Sequence, residues 1–216
     1  MSVNVRDIMK KDIIVAQRNM PVSEALDLMK THKIRHLPIV NKQNEILGIV
    51  SDRDLRDAAP SIFDEKHKEF INLPVSKVMI ENVITALPLD FVEESANTMT
   101  ENQISCLPVE EDGVLAGIIT ETDLLHTLVR LTGAAMPTSR LEIEVPNESG
   151  QLSEVSNIIK DHQINIQSVL VYQSFSDNTK KILVFRVQCM DMRPLLKSLK
   201  EANYKIIWPT ELEMKP

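Results

Sequence analysis

Gly48-Ile-Val-Ser51-Asp-Arg-Asp54-Leu55 returns 69 residues later as Gly117-Ile-Ile-Thr120-Glu-Thr-Asp123-Leu124. Upstream, the match continues at an offset of 70: Ile34-Arg-His-Leu-Pro38 with Ile104-Ser-Cys-Leu-Pro108, and Val5-Arg-Asp-Ile-Met9 with Val75-Ser-Lys-Val-Met79. The drop of one residue in offset assigns a deletion to the turn between the second and third matched stretches. A segment that recurs at a fixed interval is one structural unit used twice.

Both copies read the same way. A short apolar strand (Ile13 to Ala16; Val83 to Ala86) leads into an amphipathic helix (Val22 to His32; Val92 to Asn102), with Leu26, Met29 and Ile34, mirrored by Ala96, Met99 and Ile104, on the apolar side. Two strands joined by a polar turn follow, and a second helix starts just after Ser51 or Thr120. The order is β-α-β-β-α. A unit of about 55 residues buries little apolar surface alone, so the copies are expected to pack face to face about a pseudo-two-fold axis.

Asp57 to Leu73, with Pro60 and the run Asp64-Glu-Lys-His-Lys-Glu69, reads as a helix tail plus an exposed connector. A second linker follows Gly133. From Leu141 onward the pattern is strand (Leu141 to Val145), helix (Leu152 to His162), strand (Asn165 to Gln173), strand (Lys181 to Gln188), helix (Arg193 to Ala202), strand (Tyr204 to Trp208). This β-α-β-β-α-β order is that of a ferredoxin-like antiparallel sheet covered by helices. The fold class is therefore α/β (α+β), with repeat 1 at residues 1–58, a connector at 59–74, repeat 2 at 75–133, a linker at 134–140 and a C-terminal domain at 141–216.

Composition removes several function classes. With 24 Lys+Arg against 31 Asp+Glu the formal net charge is −7, and no basic run offsets it locally, so nucleic acid is not an expected partner. The longest apolar stretches fall far short of the ~20 residues of a spanning helix, and Arg6, Asp7, Lys10, Lys11 and Asp12 interrupt any signal-peptide core. No membrane association and a cytoplasmic location are the expectations. Cys106 and Cys189 lack CxxC spacing and read as small core residues. The five glycines form neither GxGxxG nor GxxxxGK. His32 and His36 stand four apart, but a strand from Ile34 to Val40 would break their shared face, so no metal site is expected.

The duplicated Gly-x-x-Ser/Thr-x-x-Asp pattern and the two Leu-Pro strands resemble a pair of cystathionine-β-synthase (CBS) domains, a Bateman module, over about residues 3–130. The C-terminal third resembles an ACT domain, with Pro146-Asn-Glu-Ser-Gly150-Gln-Leu152 where that family has its ligand loop. The order of the whole chain, with stretches such as Leu87-Pro-Leu-Asp-Phe-Val-Glu-Glu94 and Ile206-Ile-Trp-Pro209, is similar to a family of acetoin utilization proteins. That likeness implies a role near acetoin or acetyl-CoA metabolism.

Carried over position by position, the CBS resemblance implies two clefts for an adenine nucleotide (AMP, ADP or ATP) or another adenosyl effector, and no catalytic cofactor. Cleft one would combine Arg35, His36, Ser51, Arg53 and Asp54 with Met79, Ile84, Ile104 and Cys106; its two arginines and histidine would face phosphates. Cleft two would combine Thr120, Thr122, Asp123 and Ser105 with Met9, Ile14, Ile34 and His36, suiting a neutral or cationic adenosyl group, or no ligand. The ACT resemblance implies an effector loop at Asn147, Gly150 and Leu152, and homodimerisation through the CBS or ACT domains.

Each motif also has a plainer reading. Ser51-x-x-Asp54 and Thr120-x-x-Asp123 are capping boxes, which satisfy orphan N–H groups without a ligand. Arg35 and Arg53 have surface partners available in Asp52 or Asp57, Met9, Met79, Ile14 and Ile84 suit a core, and Gly150 suits a turn with φ > 0. Three functions stay open: a non-enzymatic nucleotide sensor with a protein partner in acetoin metabolism, an enzyme on an acetyl-CoA-related substrate, or an adaptor with empty clefts. No nucleophile-base pair at readable spacing supports the enzyme.

Overall fold

The computed structural model describes residues 3–60 and 66–210, which form two compact units, Met1–Leu125 and His126–Pro216. The first unit opens on a short helix, α1 (Val5–Ile8), followed by α2 (Val22–His32), the hairpin β1 (His36–Val40) and β2 (Ile46–Ser51), and α3 (Asp52–Ala58). After α4 (Lys66–Ile71) and a 3-10 turn at Val75–Lys77 the pattern recurs as α5 (Val92–Asn102), β3 (Cys106–Glu111), β4 (Val114–Thr120) and the start of α6 (Glu121–Leu131), the helix within which the boundary between the units falls.

The repeat holds to the level of register. His36 pairs with Ser51 and Leu37 with Val50 in the first hairpin, as Cys106 pairs with Thr120 and Leu107 with Ile119 in the second. Helices α2 and α5 cover the residues read from sequence, and each ends on a left-handed residue, Lys33 or Gln103, both at φ 54°. The turn at Lys33 puts His32 and His36 on different elements.

Two expectations are corrected. Ile13 to Ala16 and Val83 to Ala86 are not strands: each contributes one bridging residue, Ala16 to Ile39 and Ala86 to Val109. Around Ala16 two backbone bonds form, from its N–H to Pro38 O and from Val40 N–H to its carbonyl, both 2.9 Å, and the chain then turns at Gln17–Met20. The second correction concerns the connector. Part of it, residues 61–65, lies outside the described residues, but the charged helix α4 is anchored because Phe70 is buried in the core of repeat 1. Its neighbour Ile71 packs against the same core, so two apolar residues at the C-terminal end seat an otherwise polar helix.

Repeat 1 has its core in Val22, Ala25, Met29, Leu37, Ile39, Val50 and Leu55, and repeat 2 in Met99, Leu107, Val109 and Ile119. The segments preceding each repeat are exchanged. Val5, at 0% exposure, joins the core of repeat 2, where its N–H bonds Asp90 O at 2.9 Å; Val75, also 0%, joins the core of repeat 1, bonding Met20 O at 2.8 Å. Each repeat is completed by chain that lies next to the other in sequence.

In the second unit β5 (Ser139–Pro146), α7 (Gln151–Asp161), β6 (Asn165–Gln173), β7 (Lys180–Gln188), α8 (Arg193–Glu201) and β8 (Lys205–Trp208) form one antiparallel sheet in the order β6-β7-β5-β8. Leu141, Ile143 and Val145 alternate inward along β5 and meet Val155 and Ile159 of α7 and Leu195, Leu196 and Leu199 of α8. Glu144, on the other face, takes Lys180 and Lys205 at 3.0 and 2.9 Å. Cys106 is buried, Cys189 packs at the edge of this core, and both are free thiols.

Candidate functional site

Ser51 and Thr120 end β2 and β4 and begin α3 and α6, so each motif sits where a strand hands over to a helix N-terminus. Both are complete capping boxes. Asp54 Oδ2 accepts from Ser51 N–H at 3.0 Å and Ser51 Oγ–H at 2.7 Å, while Asp54 N–H donates to Ser51 Oγ at 3.1 Å. In the second copy Asp123 Oδ2 accepts from Thr120 N–H at 2.9 Å and Thr120 Oγ1–H at 2.5 Å. The plainer reading of these motifs is therefore physically present, and it uses one carboxylate oxygen of each aspartate.

The motif glycines have a cause outside the motif. A Cβ on Gly48 would lie 2.7 Å from Met79 Sδ and 2.9 Å from Ile80 O; one on Gly117 would lie 2.5 Å from Met9 Sδ and 3.2 Å from Lys10 O. The exchanged segments press on these strands and bond to them: Ile80 exchanges two backbone bonds with Ile49, and Lys10 exchanges two with Ile118, all at 2.9–3.0 Å.

A cavity of about 510 Å³ opens between the repeats, within the range of small-molecule sites. Of the nine residues expected in cleft one, Arg35, His36, Ser51, Arg53, Asp54, Ile84, Ile104 and Cys106 line it. Met79 does not: it lies against Gly48 and the core of repeat 1, and its neighbour Ile80 lines the cavity instead. Asp52, Asn82, Ser105 and Glu121 also line it. Glu121 was legible in principle, since it is the repeat equivalent of Asp52.

The electrostatics differ from a purely cationic pocket. Asp52 pairs with Arg56 one turn on, not with Arg35 or Arg53, and neither of those exposed guanidiniums has an ion-pair partner among the described residues. His36 Nε2 meets Ser105 Oγ at 2.9 Å. Burial, aided by the Arg35 charge, pulls the imidazole below its ordinary pKa against the opposing pull of Asp52, Asp54 and Glu121, so His36 is neutral at pH 7 and is not a third cation. Three carboxylates, Asp52, Asp54 and Glu121, thus share the lining with two guanidiniums. Burial pushes the Cys106 thiol up to about 12, which leaves it a wall residue with no thiolate to offer.

The residues assigned to cleft two are more dispersed. His36 and Ser105 line the first cavity; Ile14 and Ile34 pack against the core of repeat 1, Met9 against Gly117 and the core of repeat 2. Thr122 is exposed, and Asp123 Oδ1 lies 3.4 Å from Lys10 Nζ. In the second unit Gly150 adopts φ 96° at the start of α7, as the turn reading requires, with Asn147 and Leu152 exposed beside it. A second cavity there is lined by Met136, Pro137, Thr138, Gln188, Cys189 and Met190.

No helix among the described residues is long and apolar enough to cross a membrane. The CBS domain model matches residues 5–61 and 75–130, and the ACT domain model residues 139–203. A Vibrio cholerae structure named for acetoin utilization (AcuB) is similar at 32% identity and a TM-score of 0.55, over 64% of this chain and 99% of that one. The CBS domain pair of protein MJ0100, in complex with 5′-methylthioadenosine and S-adenosyl-L-methionine, is similar at 29% identity and a TM-score of 0.52, over 59% of this chain and 97% of that one. A homoserine O-acetyltransferase of Methanococcus vannielii is 35% identical over 125 residues, 57% of this chain. The match spans only 24% of that enzyme's length.

Proposed function

The chain belongs to the CBS-domain family, as a tandem pair followed by an ACT domain, and on that premise we propose that it is a non-enzymatic regulatory protein that senses an adenine nucleotide in the cavity between its repeats. The observation that carries this reading is the set of unused groups around one cavity. Asp54 Oδ1 has no partner among the described residues, and Arg35 and Arg53 are unpaired on the same lining. A carboxylate oxygen can accept a ribose hydroxyl, two guanidiniums can bind one phosphate, and the N-terminus of α3 favours an anion. Ile80, Val83, Ile84 and Ile104 supply an apolar wall for a base.

Charge narrows the ligand. Two guanidiniums balance the two negative charges of one phosphate, and each further phosphate would add negative charge to a lining that already holds Asp52, Asp54 and Glu121. AMP is therefore favoured over ADP and ATP. The same three carboxylates support a second reading, a neutral or sulfonium adenosyl ligand, which the ligands of the MJ0100 pair also favour. Binding regulates only if it favours one arrangement of the protein over another. The ACT domain is read as the homodimerising element, with the effector loop at Asn147, Gly150 and Leu152 as a subsidiary role. A cytoplasmic protein of acetoin or acetyl-CoA metabolism is the partner that the AcuB likeness suggests.

Calorimetric titration with AMP, ADP, ATP, S-adenosylmethionine and 5′-methylthioadenosine tests the assignment. Binding strongest for AMP and unaccompanied by ligand turnover supports it. An adaptor would bind none, and an enzyme would consume its ligand.

A further inference from the structure

Besides the loss of both guanidiniums, the second cleft differs from the first at a residue that neither capping nor the core explains. Positions 10 and 80 are repeat equivalents, and their backbones make equivalent bridges, Lys10 to Ile118 and Ile80 to Ile49. In the first cleft the position is Ile80, half exposed, beside an aspartate whose Oδ1 is unpartnered among the described residues. In the second it is lysine. Lys10 Nζ stands 3.4 Å from Asp123 Oδ1, while Oδ2 is committed to Thr120. Both oxygens of the second aspartate are therefore engaged, and the Asp123 side chain is only 11% exposed.

We propose that Lys10 closes the second cleft to ribose-bearing ligands, so that each chain binds one adenosyl ligand and not two. The inference takes its ligand class from the reading of the first cleft and deepens it. A ribose hydroxyl can reach Asp123 Oδ1 only by displacing an ammonium, a stronger partner for a carboxylate than a neutral hydroxyl. Lys10 also occupies the repeat position at which the first cleft presents the branched side chain of Ile80. No guanidinium compensates, because the positions equivalent to Arg35 and Arg53 are Ser105 and Thr122. The asymmetry makes one cleft the sensor and leaves the other a fixed strut.

The test is a count of binding sites by calorimetry with 5′-methylthioadenosine, which carries no phosphate and so makes no demand for cations. Wild type is expected to take one ligand per chain, Lys10→Ile two, and Lys10→Ile with Asp123→Ala one again. Lys10 is 60% exposed, so circular dichroism should show a native fold, and Lys10→Gln provides a second uncharged variant. Two sites in wild type, or one site in both folded Lys10 variants, overturns the proposal. No site in wild type but one in Lys10→Ile upholds it and instead refutes the reading of the first cleft. No binding in any variant, with AMP equally silent, overturns both. The reciprocal change, Ile80→Lys, should abolish the wild-type site.

Discussion

Asp54→Ala and Asp54→Asn together separate the cap from the binding site, because the two use different oxygens of one carboxylate and asparagine keeps only one. Oδ2 holds the N-terminus of α3 through Ser51, and Oδ1 is the oxygen left for a ligand. Asp54→Ala keeps the bond from the residue-54 N–H to Ser51 Oγ and loses only the carboxylate half of the capping box, at about 0.5–1.5 kcal/mol of unliganded stability. Losing one hydrogen bond to a charged acceptor should cost a further ~1.5–3 kcal/mol of binding, about a 10- to 150-fold weaker Kd for AMP. Asp54→Asn retains an oxygen for the cap and should recover most of the stability but little of the affinity. Thermal unfolding without ligand reads the first effect and calorimetry with AMP the second. If Asp54→Ala lowers Tm while the Kd for AMP is unchanged, Ser51 and Asp54 are a cap and nothing more. Asp123→Ala should lower Tm comparably and leave AMP affinity within about twofold, since Lys10 already engages its Oδ1.

Ser95 is 3% exposed with a hydroxyl that has no hydrogen-bond partner among the described residues, and its repeat equivalent is the fully buried Ala25, so Ser95→Ala should raise stability by about 1 kcal/mol in urea unfolding; a loss would mean that the hydroxyl has a partner. Gly48→Ala should cost about 1–3 kcal/mol and more than Gly117→Ala, because its Cβ meets a backbone oxygen at 2.9 Å, not 3.2 Å, and a methionine end can move where a bonded carbonyl cannot. His36 is held neutral in the fold, so the unfolded chain binds its proton first: this contribution to stability is present above about pH 6.5 and is lost as pH falls from there toward the lowered folded-state value. Stability measured from pH 7.5 to 5.5 should therefore fall less steeply in His36→Gln than in wild type; parallel curves would refute this. Removing Met136 onward should leave a folded CBS pair of lower assembly order by light scattering, and an unchanged oligomer would remove the dimerising role from the ACT domain.

Much of this protein is local in origin and so is present in the sequence. The repeat, the helices after Pro21 and Phe91, the two hairpins and the β-α-β-β-α-β order of the last third follow from hydrophobic period, turn chemistry and caps, all of which act over a few residues. The strand-to-helix junctions at Ser51 and Thr120 were legible too, because each is a capping box, whereas the other residues expected in the first cleft came position by position from the CBS resemblance. What sequence could not decide is which copy completes which core. Val5 and Val75 are apolar residues of identical type, and only packing determines that each fills the other repeat. That exchange puts Ile80 and not Met79 on the cavity, crowds Gly48 and Gly117 with a methionine and a backbone carbonyl far away in sequence, and brings Lys10 to Asp123 across 113 positions. The charge state of His36 is likewise a tertiary property, because desolvation and the fields of Arg35, Asp52, Asp54 and Glu121 converge there only in the folded chain. Local periodicity fixes elements; the long-range contacts that give a cleft its charge and its shape exist only after the elements have met.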